Sequence, residues 1–253
     1  MILLKGPQEL AIMRQANRIV AEVLDDLCAA VRPGVTTDEL DQMAEELTYK
    51  KGAKPAFKGY RPRNVAYPKS LCVSVNEEIV HGIPSRRKLK VGDIVGLDFG
   101  VVYQGFFGDS ARTVAVGEAS EQAERLMTVT REALYAAIEQ ARAGNRISDI
   151  ALAVEETAGS AGFSVVQEFA GHGIGRALHE DPQVPNYFRR GMANPRLQPG
   201  MVLAIEPMVN QGTSELRILD DGWTAVTADG KLSAHFEHSV AITENGPEIL
   251  SEL

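Results

Sequence analysis

Four carboxylates and one imidazole stand where an isolated charge is expensive. They are Asp98 in IVGLDFG, Asp109 in FFGDSART, His172 in FAGHGIG, Glu206 in LAIEPM and Glu237 in HFEHSV. An unpaired carboxylate in such apolar surroundings costs several kcal/mol or takes up a proton. Four of them in one fold point to a cationic partner. Two divalent ions carry enough positive charge to balance four carboxylates, with a neutral imidazole as a further ligand. This donor set suits Mn, Fe, Co or Zn. A structural zinc site would use thiolates or more histidines, and no EF-hand loop is present. Two such ions about 3.5–4 Å apart form a hydrolytic centre.

The elements that must carry these residues are legible from periodicity. Pro7 opens a helix whose apolar residues recur at helical spacing as far as Ala30, where Arg32-Pro33-Gly34 stops it. Thr37 is expected to cap a second helix running to about Lys51, with Asp38 and Glu39 in its first turn. Strands follow at 71–75, 93–103 and 105–116, the last two as a hairpin about Gln104-Gly105. Ser120 caps a helix to about Ala143, and Ser148 another to about Ala158. Strands return at 163–169, 201–207, 223–228 and 234–243. Side chains two apart on a strand share a face, so His235 goes with Glu237 and away from Phe236 and His238.

The order repeats itself. LKVGDIVGLD, ending on Asp98, matches LQPGMVLAIE, ending on Glu206. The junction Arg32-Pro33-Gly34 with Thr37-Asp38 recurs as Arg142-Ala143-Gly144 with Ser148-Asp149. Each half, roughly 1–117 and 118–253, then contains a helix pair, antiparallel strands and two acidic ligands. The expected fold is α/β (α+β): one catalytic domain over 1–253, with a pseudo-twofold axis that brings both acidic pairs to one sheet face.

Composition excludes several classes. The 253 residues carry a net charge of -8, which argues against a general nucleic-acid binder and against DNA as a partner. Cys28 and Cys72 show no metal spacing and make no disulfide framework, which fits a reducing cytoplasm. The N-terminal apolar run is too short for a signal peptide, and no stretch approaches the roughly 20 apolar residues of a membrane span.

Seven motifs in order resemble type I methionine aminopeptidase, of the pita-bread fold, along nearly the whole chain. They are SVNEEIVHGIP, GDIVGLDFG, GDSART, GHGIG, HEDPQVPNY, PGMVLAIEPM and HFEHSV. The resemblance implies removal of the N-terminal methionine from nascent polypeptides by hydroxide attack at a dinuclear metal centre. Asp98 would hold one ion, His172 and Glu206 the other, and Asp109 and Glu237 would bridge both. Glu206 would be the general base and acid. His179 would stabilise the oxyanion, and His81 would contact the scissile amide. Phe57, Tyr60, Tyr67, Cys72, His81 and Trp223 would line the methionine pocket. Asn76 and Ser233 would sit beside a monovalent Na or K ion. The chain is expected to work as a monomer. It departs from the family's pattern between Tyr60 and Tyr67, where about four extra residues stand within Arg61–Ala66, and at Leu178, where the family commonly has an aromatic.

From Lys50 to Lys69 the chain has basic residues at 50, 51, 54, 58, 61, 63 and 69 and no acid. This loop is either solvated or a contact for ribosomal RNA phosphates near the nascent chain. Two rival functions stay open: an Xaa-Pro aminopeptidase or prolidase using the same five ligands, and a non-catalytic peptide- or RNA-binding protein on the same scaffold. The filled ligand set favours an enzyme.

Overall fold

The computed structural model describes residues 1–62 and 65–253. Helices α1 (Pro7–Ala30) and α2 (Thr37–Lys50) precede strands β1 (Lys54–Pro55), β2 (Cys72–Val75), β3 (Glu78–Val80), β4 (Ile94–Tyr103) and β5 (Phe106–Ala115). Helices α3 (Glu121–Gln140) and α4 (Ile147–Ser160) precede β6 (Ser164–Val165), β7 (Ala170–Gly173), β8 (Glu180–Pro185), β9 (Val202–Ile205) and β10 (Met208–Asn210). The chain ends with β11 (Leu216–Ile218), β12 (Ala225–Thr227), β13 (Ser233–His235), β14 (Glu237–Thr243) and β15 (Gly246–Ile249). The main sheet runs β1-β4-β5-β14-β9-β7-β8, with β2 added at β4 and β15 at β14. Its pairs are all antiparallel.

One sheet face is apolar. Leu97, Phe99 and Val101 pack with Ala16, Val20 and Leu24 of α1. Leu203, Ile205 and Val240 pack with Leu126, Leu134 and Val154 of α3 and α4. Helix α1 approaches the sheet closely because Gly108 lets it: a Cβ there would lie 2.9 Å from the Ala16 and Asn17 backbone. The buried Asn17 side chain uses that proximity, its Oδ1 accepting the Asp109 N–H at 3.3 Å.

The helix starts differ from expectation by one or two residues. Thr36, not Thr37, caps α2: its hydroxyl accepts the Glu39 N–H, and Glu39 accepts the Thr36 N–H in return. Helix α4 begins at Ile147 rather than after Ser148. Asp149 accepts the Arg146 N–H, and Asn194 Oδ1 accepts the Ser148 N–H. The 163–169 segment pairs only at Ser164–Val165, and the 234–243 stretch is two strands bent at Phe236. The hairpin turn falls on Gln104-Gly105, both at positive φ, as the turn of a two-residue hairpin requires.

Matched contacts recur in both halves. Gly34 N–H meets Leu89 O, and Gly144 N–H meets Leu197 O; Leu89 N–H meets Val35 O, and Leu197 N–H meets Asn145 O. The glycines before the two ligand strands, Gly92 and Gly200, have φ of 92° and 91°.

Candidate metal centre

Strand register explains why five residues distant in sequence meet. Asp98 on β4 lies opposite Ala111 on β5, and Ala111 lies opposite Glu237 on β14. Asp109 is two residues before Ala111 and shares its face. Ser239, two after Glu237, pairs with Ala204 on β9, and Ala204 pairs with His172 on β7. Glu206 is two beyond Ala204. All five therefore emerge on the face opposite the helices. Asp98 and Asp109 are diagonal neighbours, since Asp109 itself faces Gly100. The residues between them in the register, Gly100, Ala111, Ala204 and Ser239, are small and leave the face open.

Ligand atoms of Asp109, His172 and Glu237 lie within 4.8 Å of one another. Three strand spacings separate β5 from β7, about 14 Å in a flat sheet, so curl and side-chain reach close the gap. Side chain-to-backbone bonds hold the strands in place. Ser110 Oγ donates to Glu237 O at 2.6 Å, and Ser239 Oγ donates to Asp109 O at 2.8 Å. His172 Nδ1 is 2.9 Å from Gly173 O, which leaves Nε2 as the lone-pair nitrogen, 3.5 Å from Glu206 Oε1. His235 Nε2 lies 3.8 Å from Glu206 Oε2.

Burial and mutual repulsion disfavour bare carboxylates here. Burial pushes the Asp98 carboxyl up to about 7. Burial, then neighbouring carboxylate charge, raises Asp109, Glu206 and Glu237 well above the usual carboxylate range. Burial holds His172 down at about 3, with His179 adding to the effect. Among the described residues, Asp98 Oδ1, Asp109 Oδ1 and Glu237 Oε1 are buried without a hydrogen-bond donor. Acceptor-only oxygens facing a neutral imidazole fit divalent ions of the Mn, Fe, Co or Zn kind.

These five residues open into a cavity of about 640 Å³. Phe57, Tyr60, Tyr67, Cys72, His81 and Trp223 line it, as does His179. Tyr67 and Trp223 meet edge to face, with centroids 5.1 Å apart. His81 packs edge-on against Trp223 and against Phe169. Its φ of 61° is left-handed, a strained state that clusters at functional sites. The Tyr60 hydroxyl is 2.7 Å from His179 Nδ1, and the two rings stack. His172 and His179 have centroids 4.1 Å apart.

Other candidates lie elsewhere. Asn76 and Ser233 are joined by the Ser233 N–H to Asn76 O bond at 2.9 Å, outside this cavity. His238 faces the helices, with Nδ1 at 2.9 Å from Ser251 Oγ. Phe169 and Gln183 line the cavity too. Strand alternation could have found Gln183 in the HEDPQVPNY motif, since it pairs with His172. Of the basic loop, Arg63 lies outside the described residues. Lys50, Lys51, Lys58 and Lys69 pair with Glu46, Glu22, Glu45 and Asp38.

Residues 11–244 match the model of metallopeptidase family M24. The chain belongs to this family. An M24 relative from Clostridium perfringens, named methionine aminopeptidase, is 53% identical over 251 residues, covering 99% of both chains. The crystal structure of methionine aminopeptidase from Thermotoga maritima superposes with a TM-score of 0.96 at 47% identity, covering 100% of both chains. The prolidase from Pyrococcus furiosus shares the fold at a TM-score of 0.80 and 24% identity; the match covers 99% of this chain and 65% of that one. The sheet and helix layers are thus those of the pita-bread fold.

Proposed function

We propose that the chain is a metallo-exopeptidase that removes methionine from the amino termini of nascent polypeptides. The observation that carries this reading is the convergence of four carboxylates and a neutral imidazole at the floor of an aromatic-walled cavity. When bound, two divalent ions would supply water ionised at neutral pH and polarise the scissile carbonyl. Asp98 would hold one ion, His172 and Glu206 the other, with Asp109 and Glu237 between them. One domain over 1–253, built from two equivalent halves, is supported by the matched junction bonds.

The substrate would lie with its free amine at the Asp98 end. Cys72, one of the residues that would take the methionine side chain, lies opposite Asp98 in the register. The free α-amine then falls beside Asp98, and the carbonyl toward Glu206 and His179. An internal residue has no such amine, which accounts for action at the terminus. Glu206, whose buried carboxyl is raised, would accept the proton of the attacking water and pass it to the leaving amine. His179, held toward the neutral form by burial, is 2.7 Å from the Tyr60 hydroxyl at Nδ1; with Tyr60 donating there, Nε2–H would be left for the developing oxyanion. His81 would contact the scissile amide.

The finer readings follow the same family. The divalent ions are Co, Mn, Fe or Zn, and a Na or K ion would sit beside Asn76 and Ser233. The chain would act as a cytoplasmic monomer with no DNA partner; among the described residues no helix is long and apolar enough to cross a membrane. Ribosome contact through the 50–69 loop draws on its basic sequence, and the four ion pairs reduce the charge available to phosphates.

A chelator-stripped sample, reconstituted with Mn, Fe, Co or Zn, tests the function on Met-Ala-Ser, its N-acetylated form and an Xaa-Pro peptide. Metal should restore cleavage of the free Met peptide alone. Preferred cleavage of the Xaa-Pro peptide would transfer the chain to prolidase chemistry. No activity with any metal would leave a binding protein.

A further inference from the structure

The chain's own N-terminal arm is tied to the loop that carries His179. Lys5 is a fixed charge in the interior, only 7% exposed. Its Nζ lies 2.6 Å from Glu180 Oε2 and donates to Leu3 O at 3.1 Å. The Glu180 side chain is itself 7% exposed. Its other oxygen, Oε1, accepts the Arg176 N–H at 2.8 Å and the Ala177 N–H at 3.2 Å. The arm is pinned from behind by Lys5 N–H on Gly200 O, at 2.7 Å.

Glu180 closes one particular turn. Gly173 pairs with Glu180 across β7 and β8, so residues 174–179 form the loop between them. His172 stands immediately before this closure and His179 immediately inside it. The carboxylate of Glu180 folds back into the loop and ties its backbone, and the Lys5 ammonium fills the space below. Gly175 makes room for that ammonium: a Cβ at 175 would lie 2.4 Å from Lys5 Cε and 2.8 Å from Glu180 Oε1. The loop is also tied outward by the Phe107 N–H on Gly175 O, at 2.8 Å. Neither Lys5 nor Glu180 lines the cavity.

A charge pair buried this deeply is a costly way to gain stability, because apolar residues of similar volume often serve as well. Here the pair is joined to the turn presenting His179, because Glu180 also accepts the Arg176 and Ala177 N–H groups. We propose that Lys5 and Glu180 are positioning residues: the ion pair sets the 174–179 turn so that the His179 imidazole meets the developing oxyanion. Loss of the pair leaves the metal ligands in place, since they are held by sheet register, and shifts the turn that carries His179. A displacement of about 1 Å at such a group costs on the order of a hundredfold in rate.

This inference rests on the proposed peptidase reading, and a double-mutant cycle tests the two separately. Wild type, Lys5→Met, His179→Ala and the double variant are loaded with Mn and assayed on Met-Ala-Ser, with bound metal measured per chain. Lys5→Met should lower kcat by about tenfold or more with KM within about threefold and metal content unchanged. In the His179→Ala background the same substitution should change kcat by less than about twofold, because the group it positions is gone. Glu180→Gln, run through the same cycle, serves if Lys5→Met fails to fold. Equal losses in both backgrounds, or unchanged kcat in Lys5→Met, would overturn the positioning role while wild-type turnover upheld the peptidase reading. An inactive wild type would instead sink that reading itself.

Discussion

His172 Nε2 lies 3.5 Å from Glu206 Oε1, while its Nδ1 is 2.9 Å from Gly173 O. One carbonyl thus fixes the tautomer, and the remaining nitrogen faces a carboxylate that stands just past β9. Such a backbone partner orients a metal-binding imidazole and raises its basicity. Replacing His172 by Ala should weaken binding of one of the two ions at least about tenfold, read by metal titration calorimetry. Two unaltered binding steps would contradict its place in the set.

Glu237 stands at the centre of the row, opposite Ala111 and beside Asp109. Glu237→Ala should lower occupancy of both ions together, measured as metal per chain after gel filtration. Retention of two tightly held ions would mean that it does not bridge.

His179 is within ring contact of His172 but is assigned to the oxyanion. His179→Ala should slow turnover by about 10²–10³-fold, the usual range for one lost oxyanion donor, and leave metal content intact. Loss of both ions would make it a ligand instead.

The carboxyl shifts carry a sign. Asp98 rises from 3.8 to about 7, so the folded metal-free chain holds a proton where the unfolded chain has released it. That stabilisation is present below the ordinary carboxylate range and is lost as pH rises through about 7. The melting temperature of metal-free protein should fall between about pH 5 and about pH 8, and the gain on adding Mn should grow over the same interval. A gain independent of pH would show that no protons leave these acids when metal binds.

The ligands were legible because each breaks an apolar pattern: a charged residue such as Asp98 between Leu97 and Phe99 announces itself. Helix α1 and the β4–β5 hairpin were legible because Pro7 and Gln104-Gly105 are strong local signals. Thr36 was missed because Thr36 and Thr37 are chemically alike, and only the reciprocal bond with Glu39 decides between them. The register that puts Asp98 opposite Ala111 rather than Asp109 is set by the turn and by long-range pairing. The screening of the basic loop was invisible because its acidic partners, Glu22 and Glu45 among them, lie on helices earlier in the chain. The Lys5–Glu180 pair joins residues 175 apart in sequence, and nothing local to either residue signals it.

Sheet register gathers five side chains at one centre, where two cations would bind. Anomalous scattering from crystals grown with Mn and measured at its absorption edge tests this directly. Two neighbouring peaks should appear, enclosed by Asp98, Asp109, His172, Glu206 and Glu237. No peak at that centre, or peaks ligated by other residues, would contradict it.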